Sequence, residues 1–153
     1  NTQCTASHTA AKRAIAGGYT DVSVMVDGIY GWQKAGHPLE PMKLSAAAVE
    51  PKWVSEMSTL NQAVVVDVRE DEERHINVPG ALWIPMSQAK DPKAWTAFTQ
   101  KLPKSKAIVF HCAAGVRSKR AAGKLAAEGF KTAYFDSADQ WAAAGLPVVK
   151  RDR

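Results

Sequence analysis

The sequence predicts an α/β fold, with an open and mostly parallel sheet flanked by helices. Two short apolar runs rich in β-branched residues, "AVVVDV" at 63–68 and "AIVFH" at 107–111, are typical of buried parallel strands. Segments with helix-forming composition and helix-start signals separate these runs. Strands that alternate with helices in this way are typical of a parallel sheet covered by helices.

Two helices are predicted from a proline near their first position. Pro51 stands at the start of the segment 50–57, and Asp91 precedes Pro92 in the segment 91–102. Proline is favoured at the first helical position because the amide hydrogen that it lacks would have no partner there. Aspartate before it can accept a hydrogen bond from the first turn.

The last part of the chain is predicted to run helix, strand, helix. The segment 118–129 is rich in helix formers, with Ser118 as its expected cap and Gly129 as its expected end. "TAYF" at 132–135 is typical of a short strand, and 137–145 of a short helix. Together with the earlier strands and helices, these elements complete the predicted α/β unit.

Composition indicates a folded globular chain. Of the 153 residues, 46% are apolar and 23% are charged, and no apolar run reaches the length of a membrane span. The net charge is +5, but the basic residues are scattered and are not interleaved with aromatic ones. This distribution disfavours nucleic-acid binding and favours attraction of small anions.

The chain also resembles itself. The segment 7–40 can be aligned with 118–150, with matching Ala-Ala, Gly-aromatic and Trp positions. We interpret 1–40 as the last third of a first unit, containing a helix, a strand and a short helix. A linker follows at 41–45, and a complete domain at 42–150. The start "NTQCTAS" has no initiator Met, so we expect a processed or excised piece.

Cys112 ends a predicted strand just before a predicted helix. The free N–H groups and the dipole of a helix start lower the pKa of a nearby thiol, as does Arg117, and the thiolate is the nucleophilic form. Small residues let the loop's N–H groups turn inward, and Arg117 can bind oxyanions through two hydrogen bonds. The predicted substrate-binding loop comprises Ala113, Ala114, Gly115, Val116 and Ser118.

These motifs resemble those of a known family. "CAAGVRS" at 112–118 is similar to the active-site loop of rhodanese-type sulfurtransferases, in which Cys-x-x-Gly-x-Arg-Ser is frequent. "VVVDVREDEERHINVPGALWIP" at 64–85 resembles the second signature of the family, and "WAAAGLPV" at 141–148 resembles its C-terminal end. The resemblance extends over 42–150 and implies a rhodanese-like fold.

The resemblance implies transfer of a sulfane sulfur in two steps. Thiolate Cys112 would attack the outer sulfur of thiosulfate and release sulfite, leaving a persulfide surrounded by N–H groups from Ala113 to Ser118. Cyanide or a thiol would then remove the sulfur, and Arg117 would hold the sulfonate. The expected partners are therefore small sulfur-containing anions and a sulfur-donor or sulfur-acceptor protein. No cofactor beyond the covalent persulfide and no metal is expected.

Residues around the loop carry weaker expectations. Asp67 and Arg69, at the end of a neighbouring strand, would support the loop from behind, and the alternative is a purely structural ion pair. His111 should point away from the loop by strand alternation. The acidic run 70–73 is expected to be a solvated first helical turn. The tandem arrangement favours the periplasm as the compartment, with the cytoplasm as the alternative.

Two other function classes stay open. Protein tyrosine phosphatases, and the cell-cycle phosphatases that share the rhodanese fold, resemble this loop but place five residues between the Cys and the Arg, whereas here there are four, 113–116. Phosphatase or arsenate-reductase chemistry is therefore the less favoured of these alternatives. A non-enzymatic persulfide carrier or binding module is the other alternative. Retention of Cys112 and Arg117 disfavours an inert module, but it does not separate an enzyme from a relay.

Cys4 is the second thiol of the chain. Its surroundings resemble a variant Cys-x-x-Ser loop of tandem rhodanese-like proteins, so Cys4 could be reactive. The strand that would deliver it to an N–H nest is absent from the chain, which favours an unreactive tail thiol. We therefore expect that Cys112→Ser abolishes sulfur loading and that Cys4→Ser leaves it intact.

Overall fold

The computed structural model describes residues 5–26, 28–36 and 44–151, and the chain forms two compact units, Asn1–Met42 and Lys43–Arg153. The first unit contains helices α1 (Thr5–Ala16) and α2 (Gly28–Lys34). Cys4 and positions 41–43 of the predicted linker lie outside the described residues.

The strand predicted in the first unit is absent from the described residues between α1 and α2. A strand is stable only when a neighbouring strand satisfies its backbone hydrogen bonds. The described part of this unit supplies no second strand, so the prediction was wrong for a physical reason that local composition does not reveal.

The second unit contains a five-stranded parallel sheet in the order β1-β6-β5-β2-β4 and a separate antiparallel pair, β3 with β7. The predicted α/β class is confirmed. The elements are β1 (Ala47–Ala48), α3 (Pro51–Thr59), β2 (Ala63–Asp67), a 3-10 turn (Asp71–Glu73), β3 (Ile76–Asn77), β4 (Leu82–Trp83), α4 (Met86–Ala89), α5 (Pro92–Thr99), β5 (Ala107–Cys112), α6 (Val116–Ala126), β6 (Thr132–Ser137), α7 (Ala138–Ala143) and β7 (Val149–Lys150).

The sheet is buried on both faces. Every residue of the central strand β5 is buried, which explains its continuous apolar run. Alternate residues enter two hydrophobic clusters. Phe110 packs with Leu125 of α6 in one cluster, and Val109 packs with Trp141 of α7 in the other. The same alternation places the last two side chains of β5, His111 and Cys112, on opposite faces of the sheet. Only one of the two can therefore face the loop that follows the strand.

The predicted helix starts hold where a local side chain caps the helix. Asp91 accepts a hydrogen bond of 2.8 Å from the N–H of Ala94 at the start of α5. Helix α6, in contrast, begins at Val116 rather than at Ser118, and Gly115 occupies its N-cap position. The prediction that Ser118 caps this helix was wrong, because Ser118 lies inside the first turn and its hydroxyl bonds carbonyl groups instead.

The carboxyl ends of the parallel strands gather the functional residues at one edge of the sheet. Strand β5 ends at Cys112, and its neighbour β2 ends at Asp67. Strand β6 is the other neighbour of β5. There His111 pairs with Phe135 and Cys112 pairs with Ser137, so Asp136 is an extra residue in a β-bulge. The bulge places Asp136 beside the loop that follows Cys112. No helix in the described part of the chain is long and apolar enough to cross a membrane.

Candidate active site

The Cys112 thiol lies beneath the first turn of α6 and is only 1% exposed. Its Sγ is 3.5 Å from Ser118 Oγ, within hydrogen-bonding distance for sulfur. Burial raises the pKa of the Cys112 thiol, but hydrogen bonds from the Ser118 hydroxyl and from the N–H groups of Ala114, Ser118 and Arg117 lower it by more. The pKa of Cys112 therefore lies below the ordinary value of a cysteine, and the thiolate is favoured.

Gly115 gives the loop the conformation that turns these N–H groups toward the sulfur. Its φ of 84° lies in the left-handed region, which glycine adopts without a steric penalty. A Cβ at this position would overlap Oδ1 of Asp136. The N–H of Gly115 donates to the carbonyl oxygen of Asp136 at 3.2 Å, which attaches the loop to the bulge in β6.

Ser118 joins the sulfur to the surrounding backbone. Its Oγ lies 3.0 Å from the carbonyl oxygen of Gly115 and 3.2 Å from that of Phe135. The side chain is fully buried. A hydroxyl has a single proton, so it can donate to either carbonyl or, once Cys112 is ionised, to the sulfur. Ser118 can thus follow a change of charge at Cys112 by rotating one bond.

Arg117 is engaged by a carboxylate that the sequence analysis missed. Its Nη1 donates to Oε2 of Glu73 at 2.6 Å, and its Nη2 donates to Oε1 at 2.5 Å, which is a two-point ion pair. The two side chains are 30% and 34% exposed. The hydrogen bonds to Glu73 raise the pKa of Arg117, and interaction with Cys112 raises it further. The guanidinium therefore lies within reach of both Glu73 and the sulfur.

The acidic run 70–73 forms a helical turn in which Asp71 and Glu72 are exposed, as expected, but Glu70 and Glu73 are partly buried and hydrogen-bonded rather than solvated. It forms a 3-10 turn in which Oε2 of Glu73 accepts from the N–H of Glu70 at 2.8 Å. Glu70 in turn accepts from the N–H and hydroxyl of Ser87, at 3.0 and 2.7 Å. The hydrogen bond from Arg117 holds the pKa of Glu73 below its usual value. The spacing of two glutamates three residues apart matches a reciprocal cap, and this signal could have indicated an ordered turn.

Asp67 and Arg69 form a buried ion pair behind that turn. Nη2 of Arg69 is 2.7 Å from Oδ2 of Asp67, and Nη1 of Arg69 donates to the carbonyl oxygen of Glu73 at 3.0 Å. Burial raises the pKa of Asp67, but the hydrogen bonds from Arg69 and the electrostatic attraction of His111 and Arg69 together lower it by more, so the pKa lies below its ordinary value. The pair supports the turn that carries Glu73, and Glu73 is the residue that contacts Arg117. Asp67 and Arg69 therefore influence the position of Arg117 only indirectly.

The remaining loop residues form an open rim. Ala113, Ala114 and Val116 are exposed, and Val116 is 73% exposed. The rim above the sulfur is therefore apolar and accessible. Within residues 5–26, 28–36 and 44–151, no three His, Cys, Asp or Glu side chains are grouped so that they could hold a metal ion.

Comparison with solved structures shows the same fold. A rhodanese-related protein from Thermoplasma volcanium is 26% identical, covers 67% of this chain and 97% of its own, and superposes with a TM-score of 0.56. A thiosulfate sulfurtransferase from Pseudomonas aeruginosa is 20% identical, with a TM-score of 0.54; the match covers 95% of this chain and 30% of the enzyme.

Comparison of sequences identifies the family. A curated relative, the tRNA uridine(34) hydroxylase of Bacillus cytotoxicus, is 26% identical over 94 residues. That match covers 61% of this chain and 29% of the hydroxylase, so this chain spans less than a third of that relative. The family model of the rhodanese-like domain matches residues 50–143, which is more than half of the chain. The protein therefore belongs to the family defined by the rhodanese-like domain.

Proposed function

We propose that this protein is a sulfurtransferase that carries a sulfane sulfur as a persulfide on Cys112. The donor is thiosulfate or another sulfane-sulfur compound, and the acceptor is cyanide or a thiol. The observation that carries the proposal is the convergence of three backbone N–H groups and the Ser118 hydroxyl on one buried sulfur whose pKa they lower. Such a loop stabilises a thiolate and, after loading, the negative persulfide.

The two steps balance without an external oxidant or reductant. The Cys112 thiolate attacks the outer sulfur of thiosulfate, the new S–S bond forms, and the S–S bond of thiosulfate breaks as sulfite leaves with the electron pair. The acceptor then attacks the terminal sulfur of the persulfide, and Cys112 leaves as the thiolate. Cyanide becomes thiocyanate in this step, and a thiol becomes a persulfide.

Arg117 is the second residue of the proposed machinery. Its guanidinium interacts with Cys112 and carries a permanent positive charge. This charge offsets the negative charge that accumulates on the leaving group while the new S–S bond forms. Asp67 and Arg69 contribute indirectly, because they hold the turn that contacts Arg117.

Phosphoryl or arsenate chemistry is the weaker candidate. This chemistry needs a general acid next to the loop. In its favour, the exposed carboxylate of Asp136 lies against the loop at Gly115, although in the sequence Asp136 follows the loop only after helix α6 and most of strand β6. Against it, only four residues separate Cys112 from Arg117, and Arg117 is already paired with Glu73. An aryl phosphate should therefore be a poor substrate compared with a sulfane-sulfur donor.

The test is intact-mass analysis of the protein after treatment with thiosulfate. We expect the added mass of one sulfur atom on a peptide that contains Cys112, and its removal by cyanide. Cys112→Ser should abolish this addition, and Cys4→Ser should retain it. Loss of loading in Cys4→Ser, or hydrolysis of an aryl phosphate by a protein that accepts no sulfur, would overturn the proposal.

A further inference from the structure

We propose that Glu73 sets the donor specificity of this site. By occupying the guanidinium of Arg117, it disfavours sulfonate dianions such as thiosulfate and favours alkyl persulfides whose alkyl group is uncharged or cationic. The inference rests on the proposed function, since it concerns which donor loads Cys112.

The first argument is the geometry of the ion pair. Both terminal nitrogens of Arg117 donate to Glu73, at 2.6 and 2.5 Å. A sulfonate that binds through the same two N–H groups must take the place of the carboxylate, because each N–H donates to one acceptor. Thiosulfate binding at this edge of the Arg117 guanidinium therefore includes the cost of separating Glu73 from Arg117.

The second argument is that Glu73 is fixed in place. Oε2 of Glu73 also accepts from the N–H of Glu70, and the carboxylate of Glu70 holds the N–H and hydroxyl of Ser87. The carbonyl oxygen of Glu73 accepts from Arg69. Glu73 is thus not a free surface side chain that swings into water when an anion arrives, because its backbone and its carboxylate are both held.

The third argument is the charge of the surroundings. A pocket of about 240 Å³ beside β6 has Glu50, Asp136 and Gln140 as its polar lining residues, and no Lys or Arg is among its lining residues. Asp136 also contacts the loop at Gly115. A dianion that approaches the loop past Asp136 meets negative charge, whereas an uncharged or cationic group meets no such repulsion.

The two basic residues that follow the loop do not reverse this balance. Lys119 and Arg120 follow the loop on α6 and are exposed, so salt and water screen their attraction for an anion. The loop residues that face the solvent, Ala113, Ala114 and Val116, are apolar. An alkyl leaving group gains contact with this rim, but a sulfonate does not.

The loading step with a persulfide balances in atoms and charge. The Cys112 thiolate attacks the outer sulfur of R–S–SH, the bond between that sulfur and Cys112 forms, and the original S–S bond breaks. The leaving thiolate R–S⁻ takes the electron pair, and the proton stays on the transferred sulfur. The alkyl group can belong to a small thiol or to a cysteine of another protein, since both present the same R–S–SH group.

The test compares two donors in three proteins with cyanide as acceptor. The donors are thiosulfate and the persulfide of N-acetylcysteamine, whose alkyl group carries no charge. The proteins are the wild type, Glu73→Gln and Asp71→Asn. Glutamine keeps a carbonyl oxygen for the N–H of Glu70 but removes the charge. Asp71 is the matched control, because it lies on the same turn and pairs with Arg151 instead of Arg117.

We expect Glu73→Gln to raise kcat/KM for thiosulfate by about fivefold, as expected for loss of a partly exposed competing ion pair. The value for the persulfide should change by less than about twofold. Asp71→Asn should change neither donor's value. A separate measurement on the wild type uses a third donor, a persulfide formed on a cysteine of a carrier protein. A higher kcat/KM with this donor than with the small persulfide would identify a protein as the sulfur source.

Two results would overturn the inference. If Glu73→Gln lowers kcat/KM for both donors alike, Glu73 orients Arg117 and does not compete with the donor. If Asp71→Asn raises the thiosulfate value as much as Glu73→Gln does, the effect is one of net charge. Failure of the proposed function would look different, because Cys112 would then gain no sulfur from either donor in any of the three proteins.

Discussion

His111 directly precedes the proposed nucleophile but lies on the other face of the sheet. Its ring is fully buried, stacks on Phe135 with 5.0 Å between centroids, and has Nε2 3.9 Å from Oδ2 of Asp67. Neither ring nitrogen forms a hydrogen bond to the described residues. Burial lowers the pKa of His111, and the negative charge of Asp67 raises it. Burial is the larger effect, and the pKa falls to about 4. The imidazole is therefore neutral at neutral pH.

This residue should make the stability of the fold depend on pH. In the unfolded chain His111 titrates near its ordinary pKa of about 6.5, so between there and about 4 the unfolded state binds more protons than the folded state. Its contribution is present above about 6.5 and is lost as the pH falls toward 4. We expect the free energy of unfolding in urea to fall by about 2 kcal/mol from pH 7 to pH 5.

The substitution His111→Leu should remove most of that difference between pH 7 and pH 5. His75 is exposed, so His75→Leu is the matched control and should retain it. An equal loss of stability on acidification in the wild type and in His111→Leu would show that the buried imidazole is not the cause.

Individual site residues differ in how far the sequence predicts them. Cys112 and Arg117 lie in one short motif, so their spacing predicts that they share a loop. Glu73 and Arg117 are 44 residues apart, and only the fold brings them together. A charge pair of this kind has no local pattern, and for this reason the acidic run was interpreted as solvated.

Elements were predictable where their signals are local. The caps Asp91 and Ser137 bond N–H groups three residues ahead, at 2.8 and 3.0 Å, so sequence alone reveals them. The start of α6 was misplaced because Gly115 caps it without a side chain and in a left-handed conformation. That start is set by the loop's contact with β6, which is a tertiary feature.

The start of α6 also gives a prediction with an internal control. Gly115→Ala should lower the free energy of unfolding by about 1–2 kcal/mol, because the residue has positive φ and its Cβ would meet Asp136. Gly115→Ala should also reduce sulfur loading of Cys112, because the N–H groups of the loop would turn away from the sulfur. Urea unfolding and intact-mass analysis measure the two effects.

Gly123, in the same helix, is the control. A Cβ there meets no atom within 4 Å, so Gly123→Ala should raise stability by about 0.5–1 kcal/mol and leave loading unchanged. If Gly115→Ala proves as stable and as readily loaded as Gly123→Ala, the loop does not depend on the left-handed glycine.

At the scale of the whole molecule, the parallel arrangement explains where the site lies. The strands β2, β5 and β6 run in the same direction, so their carboxyl ends bring the buried ion pair, the nucleophile and the bulge to one edge. The alternation of strands and helices predicted this class of fold. That residues 1–40 are the last third of a first rhodanese-like unit, which precedes the complete one, stays a prediction, as does the periplasmic location.

The central claim is that the folded loop stabilises the thiolate of Cys112. The most direct measurement is titration of the thiolate absorbance in Cys4→Ser, first in the native protein and then in urea. We predict a native midpoint below the unfolded one, because the hydrogen bonds from Ser118 and from the loop's N–H groups exist only in the fold. A native midpoint equal to or above the unfolded one would contradict the account.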